Sequence, residues 1–409
     1  MAVISLFSGT FCMQDAVIRY LLDGSGYRPV TDEDIVSEAG RLSGISESKI
    51  AKAFSARTSV FNKFTHERER SIAYLKLAVA GVLSDDQLLI SGLSAHLIPM
   101  DISHVLRVCL IADARFRLAA AMAEKEIAEH EAAKLVHRQD EDRLAWVQAL
   151  RDSDDLWNPD LYDMVIPIDQ TQPHRAAAMI LENAAKPVVK STVRSRRAVE
   201  DFSLAARVEA ALVQEGHNVQ VDAADGTVTL TIDKHVLMLG RLEHELKTIA
   251  GKVPGVKQVE TRVGPGFHQA DIYRRQDFAM PSKILLVDDE REFVQTLSER
   301  LLMRDMGSAI AYDGESALEV AREEEPDVMI LDLKMPGIDG IEVLRRVKEN
   351  QPEIEVIILT GHGSEKDRET CMQLGAFAYL QKPVDIDELS RNIQAANEKI
   401  RRQRSGEKP

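Results

Sequence analysis

Val328-Met-Ile-Leu-Asp332-Leu-Lys-Met-Pro336-Gly-Ile-Asp-Gly340 is a short apolar run that stops at an acid and then turns through Pro and Gly. A continuous run of this kind suits a parallel strand buried on both faces. Lys283-Ile-Leu-Leu-Val-Asp288-Asp289-Glu290 repeats the plan. In an open α/β sheet, ligands gather at the carboxyl ends of the strands. Side-by-side strands would bring Asp288, Asp289 and Asp332 into one small bowl. Carboxylates that close repel one another, and a hard divalent cation such as Mg2+ relieves the repulsion by taking oxygen ligands.

Two further runs end at the spacing such a site needs. Ile354-Glu-Val-Ile-Ile-Leu-Thr360-Gly361 ends in a hydroxyl, and Gly375-Ala-Phe-Ala-Tyr379-Leu-Gln-Lys382-Pro383 ends in an ammonium. Chemically this is a phosphoryl-transfer cradle. Asp332 is the expected nucleophile and would form an aspartyl phosphate. A Mg2+ held by Asp288, Asp289 and Asp332 would balance charge on the moving group. Thr360 and Lys382 would take its remaining oxygens. Taken singly, Asp289 and Glu290 also fit a helix cap, and Lys382 a solvated surface charge.

From about Lys283 to Ile400 the chain resembles the receiver domain of two-component response regulators. The acid pair, the DLKMPGIDG turn, the LTG turn and the YLQKP turn carry the resemblance, in order. It implies a flavodoxin-like (βα)5 domain over residues 282–400, with a polar tail at 401–409. It also implies that a histidine kinase or phosphotransfer protein donates phosphoryl to Asp332 in a Mg2+-dependent reaction. The new charge would draw in Thr360 and let Tyr379 turn inward, shifting a conformational population. Tyr379 equally fits a half-exposed packing residue. The tail is too short for a helix-turn-helix, so no DNA-binding output is expected.

The length of 409 residues is enough for roughly three domains. A net charge of -15 argues against general nucleic-acid binding. Cys12, Cys109 and Cys371 are odd in number and far apart, as reduced thiols would be. No stretch has the length and apolarity of a membrane span, and the N-terminus lacks the positive flank of a signal peptide. A cytoplasmic protein is expected.

Residues 1–187 follow an α/β plan. Ala2–Phe7 reads as a strand, Ser8-Gly9-Thr10 as a turn, and a helix follows through Leu22. Leu88–Gly92, Val105–Ile111 and Tyr162–Pro167 read as further strands, and Glu124–Leu150 as a charged helical stretch. This order resembles the cytidylate-kinase-like family, through Thr31-Asp32-Glu-Asp-Ile35, the strand leading to Gly92, Leu106–Asp113, Arg143, Trp157 and Tyr162-Asp163. The resemblance implies a P-loop-kinase-like α/β fold that binds a nucleotide. A working phosphate loop wants several glycines and a lysine. Here the loop is Ser8-Gly-Thr-Phe-Cys-Met-Gln-Asp15, with one glycine, no lysine and a bulky Phe11. Leu93 stands where the family usually has arginine. Gly9, Arg117, Arg138 and Arg143 remain candidates for nucleotide phosphates; the arginines equally fit ion pairs along a helix face.

Residues 188–200 read as a basic linker and 265–281 as a second, Gly/Pro-containing one. Between them, 201–264 reads as a small α+β unit of order α-β-β-α-β, with Asp225-Gly226 as a hairpin turn. This unit resembles the BON domain through Asp225-Gly-Thr-Val-Thr-Leu230 and Ile249–Val259. That family is associated with envelope proteins and phospholipid. Membrane contact is not expected here, because the unit follows a domain read as cytosolic.

The whole reads as an α/β multidomain signalling protein, in which a receiver controls a kinase-like module that has lost turnover. The alternatives are a nucleoside monophosphate kinase gated by phosphorylation and a pure phosphate sink.

Overall fold

The computed structural model describes residues 2–405, apart from 57–58, 60, 63–65, 152, 235, 237–238, 269–282, 305 and 362. Most of the second expected linker lies outside the described residues. Chain contacts form two compact units, one of Met1–Thr58 with Glu67–Arg274, the other of Ser59–His66 with Arg275–Pro409.

The first unit is built on strands β1 (Val3–Ser8), β2 (Arg28–Val30), β3 (Leu88–Ser91), β4 (Val105–Ile111) and β5 (Met164–Pro167). They form one parallel sheet in the order β2-β3-β1-β4-β5. β1, β3 and most of β4 are buried, as their unbroken apolar runs require. Helices α1 (Gln14–Leu22), α2 (Asp32–Ser43), α3 (Glu47–Ala51), α4 (Glu67–Val82), α5 (Ala114–Lys125), α6 (Glu129–Leu150) and α7 (Pro173–Ala184) accompany the sheet. The expected helical stretch from Glu124 is interrupted: α5 ends at Lys125 and Glu126 adopts a left-handed φ of 54°.

The same unit continues through α8 (Val193–Gln214), β6 (Gln220–Ala224), β7 (Thr227–Ile232), α9 (Leu239–Ala250) and β8 (Gln258–Val263). β6 and β7 are antiparallel across Asp225-Gly226, and β8 runs parallel to β7. The reading of 188–200 as a linker is corrected here. Thr192 and Ser195 form a reciprocal capping box that starts α8 at Val193. The helix then serves two cores. Val199, Ala210 and Val213 bury with Ile35, Leu75 and Val79, whereas Leu204, Val208 and Leu212 bury with Val228, Leu230 and Ile232. A Lys76–Glu209 ion pair at 2.9 Å joins α4 to α8.

The second unit holds strands β9 (Ile284–Val287), β10 (Ser308–Ala311), β11 (Val328–Leu331), β12 (Glu355–Thr360) and β13 (Ala378–Gln381), all parallel, in the order β10-β9-β11-β12-β13. Helices α10 (Arg291–Leu302), α11 (Gly314–Glu324), α12 (Gly340–Asn350), α13 (Glu365–Gln373) and α14 (Ile386–Ser405) complete five strand–helix units. Residues 401–405, expected in the tail, continue α14. Alternate strand residues feed opposite cores: Leu285, Val287, Met329 and Leu331 with Val343 and Leu344, and Ile284, Leu286 and Ile330 with Leu389 and Ile393. Among the described residues, no helix is long and apolar enough to cross a membrane.

Candidate functional site

In the second unit the strand order reverses between β9 and β11, and such a switch point opens a crevice at the carboxyl edge. Leu331 pairs with Val287, so Asp332 and Asp288 leave the sheet beside each other. The Asp332 N–H donates to the Val287 carbonyl at 2.9 Å. Each acid is then held by its own turn. The Glu290 N–H donates to Asp288 Oδ1 at 2.9 Å, and the Leu333 N–H to Asp332 Oδ1 at 2.8 Å. Gly340 lets the turn fold back, because a Cβ there would overlap the Asp332 carbonyl oxygen.

Asp288, Asp289 and Asp332 each offer a carboxylate oxygen, all within 4.8 Å of one another. Oxygens on an octahedral Mg2+ lie about 3 Å apart when adjacent and about 4 Å apart when opposite, so the trio would draw together to hold the ion. Lys382 reaches in from the end of β13. Its Nζ lies 2.7 Å from Asp288, 3.3 Å from Glu290 and 3.6 Å from Asp332, and 4.4 Å from the centre of the Phe293 ring.

Burial pushes the Asp288 carboxyl above its ordinary range, and the Lys382 ammonium and the Glu290 N–H only partly offset this. Burial works against the charged Lys382, but the hydrogen bond to Asp288 and the charges of Asp288, Asp332 and Glu290 outweigh it. Its pKa therefore lies above that of a free lysine. Thr360 is fully buried at the end of β12, where its carbonyl accepts from the Lys382 N–H at 2.9 Å. The Tyr379 hydroxyl is buried without a hydrogen-bond partner among the described residues.

The loop after β1 in the first unit is arranged differently. A phosphate loop points N–H groups at its ligand. Here two loop carbonyls are taken by arginines: Arg117 Nε donates to Thr10 O at 2.9 Å, and Arg143 Nε to Ser8 O at 3.2 Å. Arg117 also donates twice to Asp140, at 2.9 and 2.6 Å. Trp157 covers the loop, so a Cβ on Gly9 would lie 2.9 Å from its ring. Beyond Gly92, the N–H groups of Leu93 and Ser94 donate to the Asp32 carboxylate, both at 2.8 Å.

Comparison with known proteins separates the two units. Residues 284–394 match the response regulator receiver domain, and residues 14–170 the cytidylate kinase-like family. The chain carries a receiver domain and a cytidylate kinase-like domain. Solved structures similar to it include a response regulator receiver domain protein from Clostridium thermocellum, at 36% identity over 29% of this chain and 96% of that one, with a TM-score of 0.29. A CheY-like receiver domain protein from Methanospirillum hungatei shares 25% identity over 30% and 97%, TM-score 0.29. The receiver domain of the Francisella response regulator 1452 shares 28% over 29% and 98%, TM-score 0.28.

In the receiver domain the structure brings together Asp288, Asp289, Asp332 and Lys382, with Thr360 at the end of the adjoining strand. Glu290 and Phe293 add to the Lys382 environment. The signal for Glu290 was the third acid of its run; for Phe293 there was none beyond its place one turn on. In the kinase-like domain, Gly9, Arg117 and Arg143 meet at the loop, whereas Arg138 lies exposed on α6. Arg117 and Arg143 contact the chain's own carbonyls there, and Arg117 follows the ion-pair reading with Asp140.

Proposed function

We propose that this two-component response regulator accepts a phosphoryl group on Asp332 from a histidine kinase or phosphotransfer protein, and that the new charge controls a kinase-like module without nucleotide turnover. The grouping of three carboxylates with one ammonium supports the reading most directly. An Asp332 carboxylate oxygen attacks phosphorus, the P–N bond to the donor histidine breaks, and the imidazole nitrogen keeps the electron pair. Asp288, Asp289 and Asp332 would hold a Mg2+, which supplies charge balance for the transferring group when bound. Lys382 would leave Asp288 for a phosphoryl oxygen, and Thr360 would donate its hydroxyl to another.

For the kinase-like domain, the absence of a loop lysine and the arginine-bound carbonyls support loss of turnover. The Asp32 carboxylate also occupies N–H groups beside Gly92. The α-β-β-α-β unit, similar in sequence to BON domains, is read as a spacer and interaction module. A cytoplasmic location fits a phosphohistidine donor.

Treatment with acetyl phosphate and Mg2+ tests the switch by intact mass. One phosphoryl adduct is expected in wild type, none in Asp332→Ala and none with EDTA. A label on another residue would overturn the assignment. ATP with CMP tests the first domain: turnover at ordinary kinase rates, ~1–100 s⁻¹, would favour the gated-enzyme alternative.

A further inference from the structure

Gly363 stands between the end of β12 and the capping Ser364 that starts α13. Glycine is demanded there by space. The demand comes from a neighbour. A Cβ built on Gly363 would overlap the Tyr379 hydroxyl oxygen and lie 3.1 Å from Thr360 Cγ2. The Tyr379 hydroxyl tip therefore lies in the space a side chain at 363 would fill, while the residue as a whole is half-buried. That hydroxyl is buried and has no hydrogen-bond partner among the described residues. Packing decides the rotamer, and packing at its tip is set by Gly363.

We propose that Gly363 is the positioning residue of the receiver switch. Its missing side chain makes the seat for the Tyr379 hydroxyl, and any larger residue turns the ring away from that seat. The seated hydroxyl end touches the segment that begins α13, so the rotamer and the start of that helix move together. The inference rests on the receiver reading above for its signalling meaning, though the seat itself is a matter of packing. Overlap on this scale costs enough to shift a rotamer population by about tenfold or more.

The test uses the full chain and two measurements. Nitration of Tyr379 by tetranitromethane reports its exposure. Hydrogen exchange over residues 361–374, with and without acetyl phosphate and Mg2+, reports the response of α13. Gly363→Ala is expected to raise the Tyr379 nitration rate about tenfold and to shrink the phosphorylation-dependent exchange change. In a Tyr379→Ala background, Gly363→Ala is expected to add nothing, because the clash has gone. A Tyr379 that stays protected in Gly363→Ala would overturn the proposal. So would an effect of Gly363→Ala that persists undiminished without the tyrosine, including failure to fold in both backgrounds. Intact mass on the same samples separates the two readings: absence of an Asp332 adduct in wild type defeats the receiver chemistry, while the nitration result still judges the seat.

Discussion

Lys382 Nζ lies 2.7 Å from Asp288 Oδ2, in a pair whose side chains are only 11% and 6% exposed. The ammonium is the cation this structure provides against the acids of the bowl. Lys382→Ala should slow phosphorylation of Asp332 by ~10²–10³-fold, the usual loss when one preorganised charge is removed from a transition state. The carboxylates remain, so Mg2+ should still raise the melting temperature of the variant. A time course of adduct formation by intact mass measures the first effect and thermal melting the second. An unchanged rate would count against the role of Lys382.

His96 gives a pH dependence to the first unit. It packs edge-on against Phe7, with ring centroids 4.5 Å apart. Burial, aided by the Arg151 charge, pushes its pKa down to about 3. Below pH 6.5 the unfolded chain takes up a proton that the native imidazole refuses, so stability falls as pH falls from there toward 3. The slope from this group approaches ~1.4 kcal/mol per pH unit. His96→Gln should flatten the fall in melting temperature between pH 6 and 4; an unaltered slope would assign it to other groups.

Arg117 ties the loop after β1 to α6. It is buried and bonded to Thr10 and Asp140. Arg117→Ala should destabilise the first unit by on the order of 2–4 kcal/mol, because it leaves the Thr10 carbonyl and hydroxyl and a half-buried carboxylate without their donor. Urea unfolding measures this. A loss under ~1 kcal/mol would show that water replaces the guanidinium freely.

The two-faced helix α8 makes a prediction about fragments. A fragment ending at residue 190 loses Val199, Ala210 and Val213 from the core built on α2 and α4. It should aggregate or melt well below a fragment ending at residue 264, as read by light scattering and thermal melting. Equal behaviour would mean that the kinase-like core closes without α8.

Much of the receiver was legible because its strands are unbroken apolar runs ending in chemically distinctive residues. Asp332, Thr360 and Lys382 each stand at such an end, and a period-two core leaves little freedom in register. The first unit was less legible where local signals conflict with packing. β2 is a three-residue edge strand containing Arg28 and Pro29, too short and polar for a pattern to mark. Residues 193–200 carry Arg194, Arg196 and Arg197, which read as solvated linker; their helix is decided by the Thr192 cap and by burial of Val199. The loop contacts were out of reach for another reason. Arg117 meets Thr10, and Trp157 meets Gly9, across more than a hundred intervening residues, and spacing along the chain carries no record of such meetings.

The chain contains two tryptophans, and they differ in use. Trp146 is fully buried, with its indole N–H on the Leu93 carbonyl at 2.8 Å. Trp157 lies against Gly9 at the mouth of the degenerate loop. Emission from Trp157 thus gives a built-in optical readout for screening anions against the front domain, with Trp157→Phe as the matching blank.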